Sequence, residues 1–350
     1  MDRTTLEKII HAANLAPSGG NSQSWRFQVD GERLQVIALP EKDHAVMNFR
    51  GRATMVAHGA QLEIISVFSA AHGYHADIRT SMSPNLISTV TFTKKDIDDT
   101  AVSLAGMIDK RHSNRKPYRA EPLPKEDRDF IFSEGGRYAD CRICVAEGEN
   151  ATSVARGLSV DSRLMFENRT LHTMFYHEIV WTREEEARRG GLFVPTMELD
   201  EKQSKPVRML AKRPLAVLFK VFGLFKKIHH MNAQKSALSS AIVALATPDS
   251  DESFVHAGRT LMNIWLRSIR QGYAIQIMAG MPFLWQHLHG SEDPVLSSKE
   301  ARLLDEHYEL LRKGFGLAPD ERVGMSFRIG KPLGDPLAVS HKRPPVVEWR

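Results

Sequence analysis

The chain has 350 residues, of which 42% are hydrophobic and 25% charged, and its formal net charge at pH 7 is +5. This length and composition are enough to bury one large core or two medium ones, so we expect a globular chain. The 47 basic residues are interleaved with 42 acidic ones and form no helix-turn-helix or RNA-binding signature. These features argue against nucleic acid as a partner, whereas a modest basic excess also suits an anionic phosphate cofactor.

Two features of the sequence bear on cellular location and on redox chemistry. Residues 1–8 lack the apolar core of a signal peptide, and no uncharged run is long enough to span a membrane, so a cytoplasmic location is expected. The two cysteines, Cys141 and Cys144, lie in a segment typical of a strand, in which residues three apart point to opposite faces. Two buried thiols are therefore favoured over a redox pair.

The first distinctive element is the loop Ala-Pro-Ser-Gly-Gly-Asn-Ser-Gln-Ser-Trp at 16–25. It follows a segment in which apolar residues recur at helical spacing, and it leads into a predicted strand. Gly19 and Gly20 permit positive φ and close approach of a ligand, and Pro17 stiffens the entry. Short polar side chains suited to orienting a flat polar ring complete the loop: Ser18, Asn21 and Gln23. The alternative is a surface turn rich in glycine and serine.

An internal repeat predicts the architecture. Segments 58–74 and 256–273 are each predicted as a long helix that ends in Gly-Tyr, where glycine suits a left-handed cap. Each is followed by an apolar or alternating stretch, so each half is predicted as a helix packed on a sheet. We expect an α+β chain with antiparallel-type sheets, made of two related halves, 1–109 and 110–350.

A basic segment, Lys-Arg-His-Ser-Asn-Arg at 110–115, opens the predicted second half. The guanidinium groups of Arg111 and Arg115 can bind phosphate oxygens through paired donors, and Ser113 adds a hydroxyl. The alternative is a solvated basic turn. Later in the chain, residues 326–332 are predicted as a strand and turn, and a second basic group, His-Lys-Arg, occupies 341–343.

Residues from about 147 to 240 repeat nothing in the first half and are predicted as a helical insertion of the kind that covers a site. A charged helix is predicted at 181–189. Segment 215–228 is apolar on most faces with lysines at intervals, and it is too short to span a membrane. A helix buried in the insertion or against the core is favoured over one lying on a membrane surface.

Taken together, these segments resemble the nitroreductase superfamily of FMN enzymes. The loop at 16–25 resembles its Ala-Pro-Ser-x-x-Asn-x-Gln-Pro-Trp signature, with Ser24 where the family usually has proline. The segment 111–115 resembles its Arg-x-Ser-x-Arg/Lys phosphate element. A single chain with a truncated first half and an insertion is similar to the Acg-like branch, whose members are pseudo-dimers. The likeness covers most of 1–120 and 238–346.

The resemblance implies an FMN site between the two halves. The turn at Ala279 and Gly280 would offer a backbone N–H to flavin N5, and Arg343 would close on the phosphate, with His341 and Lys342 competing for a second basic position. The first-half loop occurs once and the phosphate elements occur only in the second half, so one complete site is expected. The remaining residues implied are Pro17, Ser18, Gly19, Asn21 and Gln23 along the flavin ring, and Arg111, His112, Ser113 and Arg115 towards its phosphate.

The implied activity is reduction of an electron-poor acceptor, such as a nitroaromatic, quinone or activated alkene, by NAD(P)H through flavin N5. No side-chain acid, base or metal set is recognised, because His229-His230 and His287-Leu288-His289 have no carboxylate or cysteine partners at a known spacing. A monomeric pseudo-dimer or a homodimer is expected. One alternative is a flavin-binding protein that stores or shields FMN. Another is a membrane-surface or partner-binding protein that uses segment 212–230.

Overall fold

The computed structural model describes all 350 residues, Met1–Arg350. The fourteen α-helices are α1 Arg3–Asn14, α2 Arg52–Ala71, α3 Asp99–Ala105, α4 Lys125–Ile131, α5 Gly148–Leu158, α6 Val160–Glu167, α7 Arg169–Glu178, α8 Arg183–Arg189, α9 Glu201–Leu210, α10 Arg213–Val221, α11 Leu224–Ala237, α12 Asp251–Arg270, α13 Gly280–Gly290 and α14 Ser298–Phe315. The eleven strands are β1 Trp25–Asp30, β2 Arg33–Ala38, β3 Tyr74–Ser81, β4 Ile87–Lys94, β5 Arg142–Ala146, β6 Ile179–Val180, β7 Leu192–Phe193, β8 Ala241–Pro248, β9 Ala274–Ile277, β10 Glu321–Gly330 and β11 Val347–Trp349.

The two main sheets have the same connectivity. In the first, the strand order is β1-β2-β4-β3 with every pair antiparallel, and α2 connects β2 to β3. In the second, the order is β5-β8-β10-β9, again antiparallel, and α12 connects β8 to β9. A fifth strand, β11, adds to the first sheet parallel to β1, so the end of the chain returns to its beginning. The predicted α+β class with antiparallel sheets is confirmed.

Helices α2 and α12 pack against each other at reciprocal glycines. A methyl group on Gly59 would overlap the carbonyl oxygen of Val255, and one on Gly258 would overlap the carbonyl oxygen of Val56. Each helix therefore contributes a glycine and the carbonyl of the residue three positions before it. This is the pattern of an isologous interface, where residue i contacts j and j contacts i. The predicted left-handed glycines after both helices are confirmed, with φ of 79° at Gly73 and 76° at Gly272.

The two halves differ in what connects their strands. The first sheet joins β1 to β2 through two residues, whereas residues 147–240, hereafter the insertion, separate β5 from β8 and hold seven helices with the short pair β6–β7. The predicted helical insertion is therefore present. A second addition, α13 and α14, separates β9 from β10 and is not among the predicted elements. The capping box of Ser297 with Glu300 was a usable signal for α14.

One part of the insertion differs from expectation. Segment 215–228, treated as a single helical unit, is divided at Gly223, which has φ of 72° and ends α10 before α11 begins. Only Ala216 of α10 is fully buried. Its outward side ends in Val221 and Phe222, which are 78% and 77% exposed. The preference for burial is confirmed for the inner side, where Ala216 and Phe225 are buried in a small cluster, and is wrong for the outer side, over which no element packs.

The hydrophobic core is divided between two large clusters. One joins α1, α2 and α12 to the facing sides of both sheets and contains Cys141, and the other joins α5, α13 and α14 to the far side of the second sheet and contains Cys144. The predicted pair of buried, unpaired thiols on opposite faces is therefore confirmed. No helix combines the length and apolar character required to cross a bilayer.

Candidate functional site

The loop at 17–23, hereafter the ring loop, is tightly wound between α1 and β1. Gly20, Asn21 and Gln23 all have positive φ, at 51°, 56° and 49°. Left-handed backbone at two residues other than glycine is strained and persists only where surrounding contacts impose it. One such contact is local: the backbone N–H of Gln23 donates to Ser18 Oγ at 3.0 Å. The loop is therefore held in one shape rather than behaving as a free surface turn.

Residues 341–343, hereafter the basic tail, lie directly on the ring loop. The side-chain amide of Asn21 donates to the carbonyl of His341 at 2.8 Å. Gln23 accepts from the backbone N–H of Arg343 at 2.8 Å and donates to its carbonyl at 3.0 Å. Asn14, at the end of α1, also donates to this carbonyl, at 2.8 Å. The Gln23 side chain is thus engaged in holding the tail, and pairing of β11 with β1 brings the tail to this position.

A group of cations, Arg111, Lys342 and Arg343, lies at the tail, and the carboxylate near Lys342, that of Glu186, is already paired with Arg183 at 2.5 Å. The guanidinium of Arg111 lies over the Trp265 ring at 4.7 Å from its centre and donates to the carbonyl of Leu15 at 3.0 Å, and no acid pairs with it. Burial lowers its pKa to about 10. Burial, together with the charges of Arg111 and Arg343, also lowers the pKa of Lys342 well below its ordinary value. Such a like-charged group is unfavourable unless an anion joins it.

Two buried polar atoms of this region, Asn21 Oδ1 and Arg111 Nε, have no hydrogen-bond partner, and neither has Ser113 Oγ, two residues after Arg111. Buried polar groups in folded proteins are nearly always paired, so unpaired ones in a cluster point to a missing ligand. The set offers a charged donor, a hydroxyl and an acceptor close to several cations. It suits a molecule with a phosphate and a ring that carries N–H and C=O groups, and FMN has both.

The segment 111–115 does not converge on one point. Arg115 donates to the carbonyl of Thr196 in the insertion at 2.8 Å, and Arg328 and Glu198 are its charged neighbours. His112 lies between the two groups, and burial lowers its pKa. Of the implied phosphate residues, Arg111, Lys342 and Arg343 therefore form one group, and Arg115 faces the insertion instead. His341 is exposed, whereas Lys342 is half-buried and close enough to Arg111 and Arg343 for their charges to lower its pKa.

Two acids of the insertion reach the elements implied to hold the flavin ring. The carboxylate of Asp161, at the start of α6, lies against Gly280, and burial raises its pKa to about 6. The carboxylate of Glu178, at the end of α7, lies 3.4 Å from where a Cβ of Gly20 would be. Burial, helped by the negative charge of Asp43, raises its pKa to about 7. Sequence reasoning missed both, because nothing in their local pattern distinguishes them from other acids.

The remaining predicted residues belong to two connecting segments. Ala279 and Gly280 connect β9 to α13, and Pro17, Ser18 and Gly19 form the partly exposed start of the ring loop. The histidines considered as metal ligands make other contacts, such as His289 with Asp305 at 2.6 Å. No group of three or more His, Cys, Asp or Glu side chains is arranged to hold a metal ion.

Comparison with known sequences finds distant relatives. No family model matches the chain. It is 24% identical over 321 residues to an uncharacterized protein of Mycobacterium tuberculosis CDC 1551, which is 89% of this chain and 44% of that protein. A segment of 139 residues, 39% of this chain, is 26% identical to 40% of a Mycobacterium tuberculosis H37Rv protein named as a putative NAD(P)H nitroreductase. The chain thus spans less than half the length of these curated relatives.

Two solved structures to which the chain is similar are named as nitroreductases. One is an FMN-dependent nitroreductase from Mycobacterium smegmatis in complex with NADPH, with a TM-score of 0.36, 14% identity, and coverage of 67% of this chain and 90% of that one. Another is a putative nitroreductase from Anabaena variabilis, with a TM-score of 0.42, 10% identity, and coverage of 86% and 69%.

Proposed function

We propose that this chain is an FMN-dependent oxidoreductase of the nitroreductase type, which uses NAD(P)H to reduce an electron-poor acceptor such as a nitroaromatic, quinone or activated alkene. The observation that carries the proposal is the set of unpaired buried atoms on Asn21, Arg111 and Ser113, next to the cations of the basic tail. These residues were singled out from sequence motifs alone. The distant similarity to a protein named as an NAD(P)H nitroreductase supports the same conclusion.

The proposal includes one flavin site for each chain, between the halves 1–109 and 110–350. The ring loop comes from the first half and Arg111, Gly280 and the basic tail come from the second. Matching connectivity of the two sheets and the reciprocal glycine contacts of α2 and α12 support a fused dimer of the Acg-like kind. Neither the ring loop nor the basic segment has a second copy, so the related position has no ligand set.

Each residue has a defined task in this arrangement. Arg111, Lys342 and Arg343 would hold the phosphate, where guanidinium and ammonium groups gain an anion that they lack. Asn21 Oδ1 would accept from a ring N–H, and Ser113 Oγ would bond to a hydroxyl or phosphate oxygen. When bound, FMN would supply hydride transfer at N5. The insertion, by covering Gly20 and Gly280, would exclude water from the ring.

A second candidate function is storage or shielding of FMN, and one observation favours it. Asp161 lies against Gly280 and Glu178 against Gly20, so the insertion contacts both elements proposed to flank the ring. A ring covered in this way would leave no stacking position for nicotinamide. The choice between the two functions depends on whether the insertion moves.

The visible absorption spectrum of the FMN-reconstituted chain, recorded anaerobically before and after NADPH is added, tests both candidates. We expect a flavin band that bleaches, with close to one flavin per chain. A band that persists with NADH as well as NADPH would favour storage over reduction. Absence of flavin binding would overturn the assignment of the site, and a ratio near two would overturn the single-site proposal.

A further inference from the structure

The outer edge of the insertion combines exposed apolar side chains with an unusual absence of acids. On α10, Val217 and Leu218 are about half exposed, and Val221 and Phe222 at its end are 78% and 77% exposed. At about 100° per residue these four side chains occupy an arc of about 140°, which is one side of the helix. No element of the fold packs over this side. We call these four residues the apolar tip.

The chain segment that carries the apolar tip is basic. Between Glu201 and Asp249 the chain has no Asp or Glu and nine basic residues. Only one of the seven exposed members, Lys220, has a carboxylate within 4.0 Å. The others are unpaired and include Lys212 before α10 and Lys226 and Lys227 in the first turn of α11. The seven exposed members are Lys202, Lys205, Arg208, Lys212, Lys220, Lys226 and Lys227.

We propose that the apolar tip, with its basic surround, docks this chain onto a membrane surface that contains anionic lipids. Charge complementarity identifies the occupant, because seven exposed cations without interspersed acids match a dense negative surface. Apolar side chains at a protruding corner are suited to the boundary between headgroups and acyl chains, where a short helix lies in the plane of the interface.

Other occupants fit the surface less well. A second copy of this chain meeting the same face would bring the lysines of both copies together, and like charges repel. A protein partner generally offers a pocket or groove to an apolar anchor, whereas Val221 and Phe222 protrude at a sharp turn before Gly223. A bilayer interface accepts such a corner without a preformed cavity. The docking proposal does not depend on the proposed flavin chemistry.

Co-sedimentation of the full chain with vesicles tests the proposal. We expect binding to phosphatidylcholine vesicles that contain phosphatidylserine, little binding to phosphatidylcholine alone, and loss of binding at high salt. The double variant Val221→Ser/Phe222→Ser should bind at least about tenfold more weakly, because it removes the groups that enter the interface. Lys226→Glu/Lys227→Glu should bind about 25-fold more weakly or worse, since each cation near such a surface contributes roughly fivefold.

A matched control is Ile97→Ser/Leu333→Ser, which removes two other apolar side chains, each 62% exposed and outside the insertion. It should bind vesicles like the wild type, and circular dichroism should show that all three variants are folded. Equal binding to vesicles with and without phosphatidylserine would overturn the role of charge. Unchanged binding of the Val221→Ser/Phe222→Ser variant would overturn the role of the apolar tip. No binding to either kind of vesicle would reject the membrane and leave an acidic protein as the occupant.

Discussion

Replacement of Arg111 by methionine is expected to strengthen the apo fold and weaken FMN binding at the same time. Burial lowers the pKa of Arg111 from its ordinary value to about 10, and at 1.36 kcal/mol per pH unit the buried charge costs the folded state about 3 kcal/mol. Because the folded pKa is the lower one, the full cost is present at neutral pH, declines as the pH rises above about 10, and disappears only above the ordinary pKa of arginine. The contacts with Trp265 and the Leu15 carbonyl offset roughly 1–2 kcal/mol of it.

Methionine fills much of the same space without the charge, so Arg111→Met should raise the free energy of unfolding of the apo chain by about 1–2 kcal/mol at pH 7. Loss of a charged hydrogen bond to phosphate should weaken FMN binding by roughly 10- to 100-fold. Urea denaturation and quenching of FMN fluorescence measure the two effects. The control Arg119→Met, at a side chain 58% exposed, should change neither by more than about 0.5 kcal/mol.

A substitution that raises the stability of the apo chain but weakens FMN binding identifies Arg111 as a ligand-binding cation rather than a structural one. If apo Arg111→Met is less stable than the wild type, Arg111 is retained for its contacts with Trp265 and Leu15. If FMN affinity is unchanged, the phosphate has been assigned to the wrong group of cations.

Two further predictions concern the helix pair and the insertion. Gly258→Ala places a methyl group on the Val56 carbonyl and should lower the free energy of unfolding by more than about 3 kcal/mol. The control Gly136→Ala, with open space around the glycine, should change this free energy little. Similar urea midpoints for the two variants would refute the close packing of α2 against α12. Asp161→Asn should be stabilising by about 3 kcal/mol at pH 8 and nearly neutral at pH 4. The raised folded pKa means that stability from Asp161 is present below about pH 4 and is lost as the pH rises through 6. If the difference in free energy of unfolding between wild type and Asp161→Asn does not vary with pH, the raised pKa of Asp161 is contradicted.

The repeat and the motifs were readable from sequence because they depend on local signals. Gly73 and Gly272 mark helix ends through backbone conformation, and alternation of apolar residues marks strands, so α2, α12 and their sheets were predictable. The register between α2 and α12 was not predictable, because it depends on which glycine of one helix meets which carbonyl of the other. Likewise Gln23 is in the predicted loop, but its engagement with Arg343 depends on the pairing of β11 with β1.

The cation group and the insertion show the limit of motif reasoning. Arg111 and Arg115 are four positions apart and share a motif, yet one lies beneath the basic tail and the other donates to Thr196. The insertion decides this difference, and its sequence does not repeat any other part of the chain. For the same reason Asp161 and Glu178 could be found only from the three-dimensional arrangement.

The contact between ring loop and basic tail joins residues 320 positions apart. The tail is held at the edge of the first sheet by β11, which has three residues and pairs only with β1, so we expect this contact to open more readily than the core. The packing of α2 against α12 does not depend on it. The tail can therefore undock while the rest of the molecule stays folded, and hydrogen exchange at residues 341–349 should be faster than at the helix pair. Such local opening provides a route for a ligand beneath the tail to exchange without movement of the insertion.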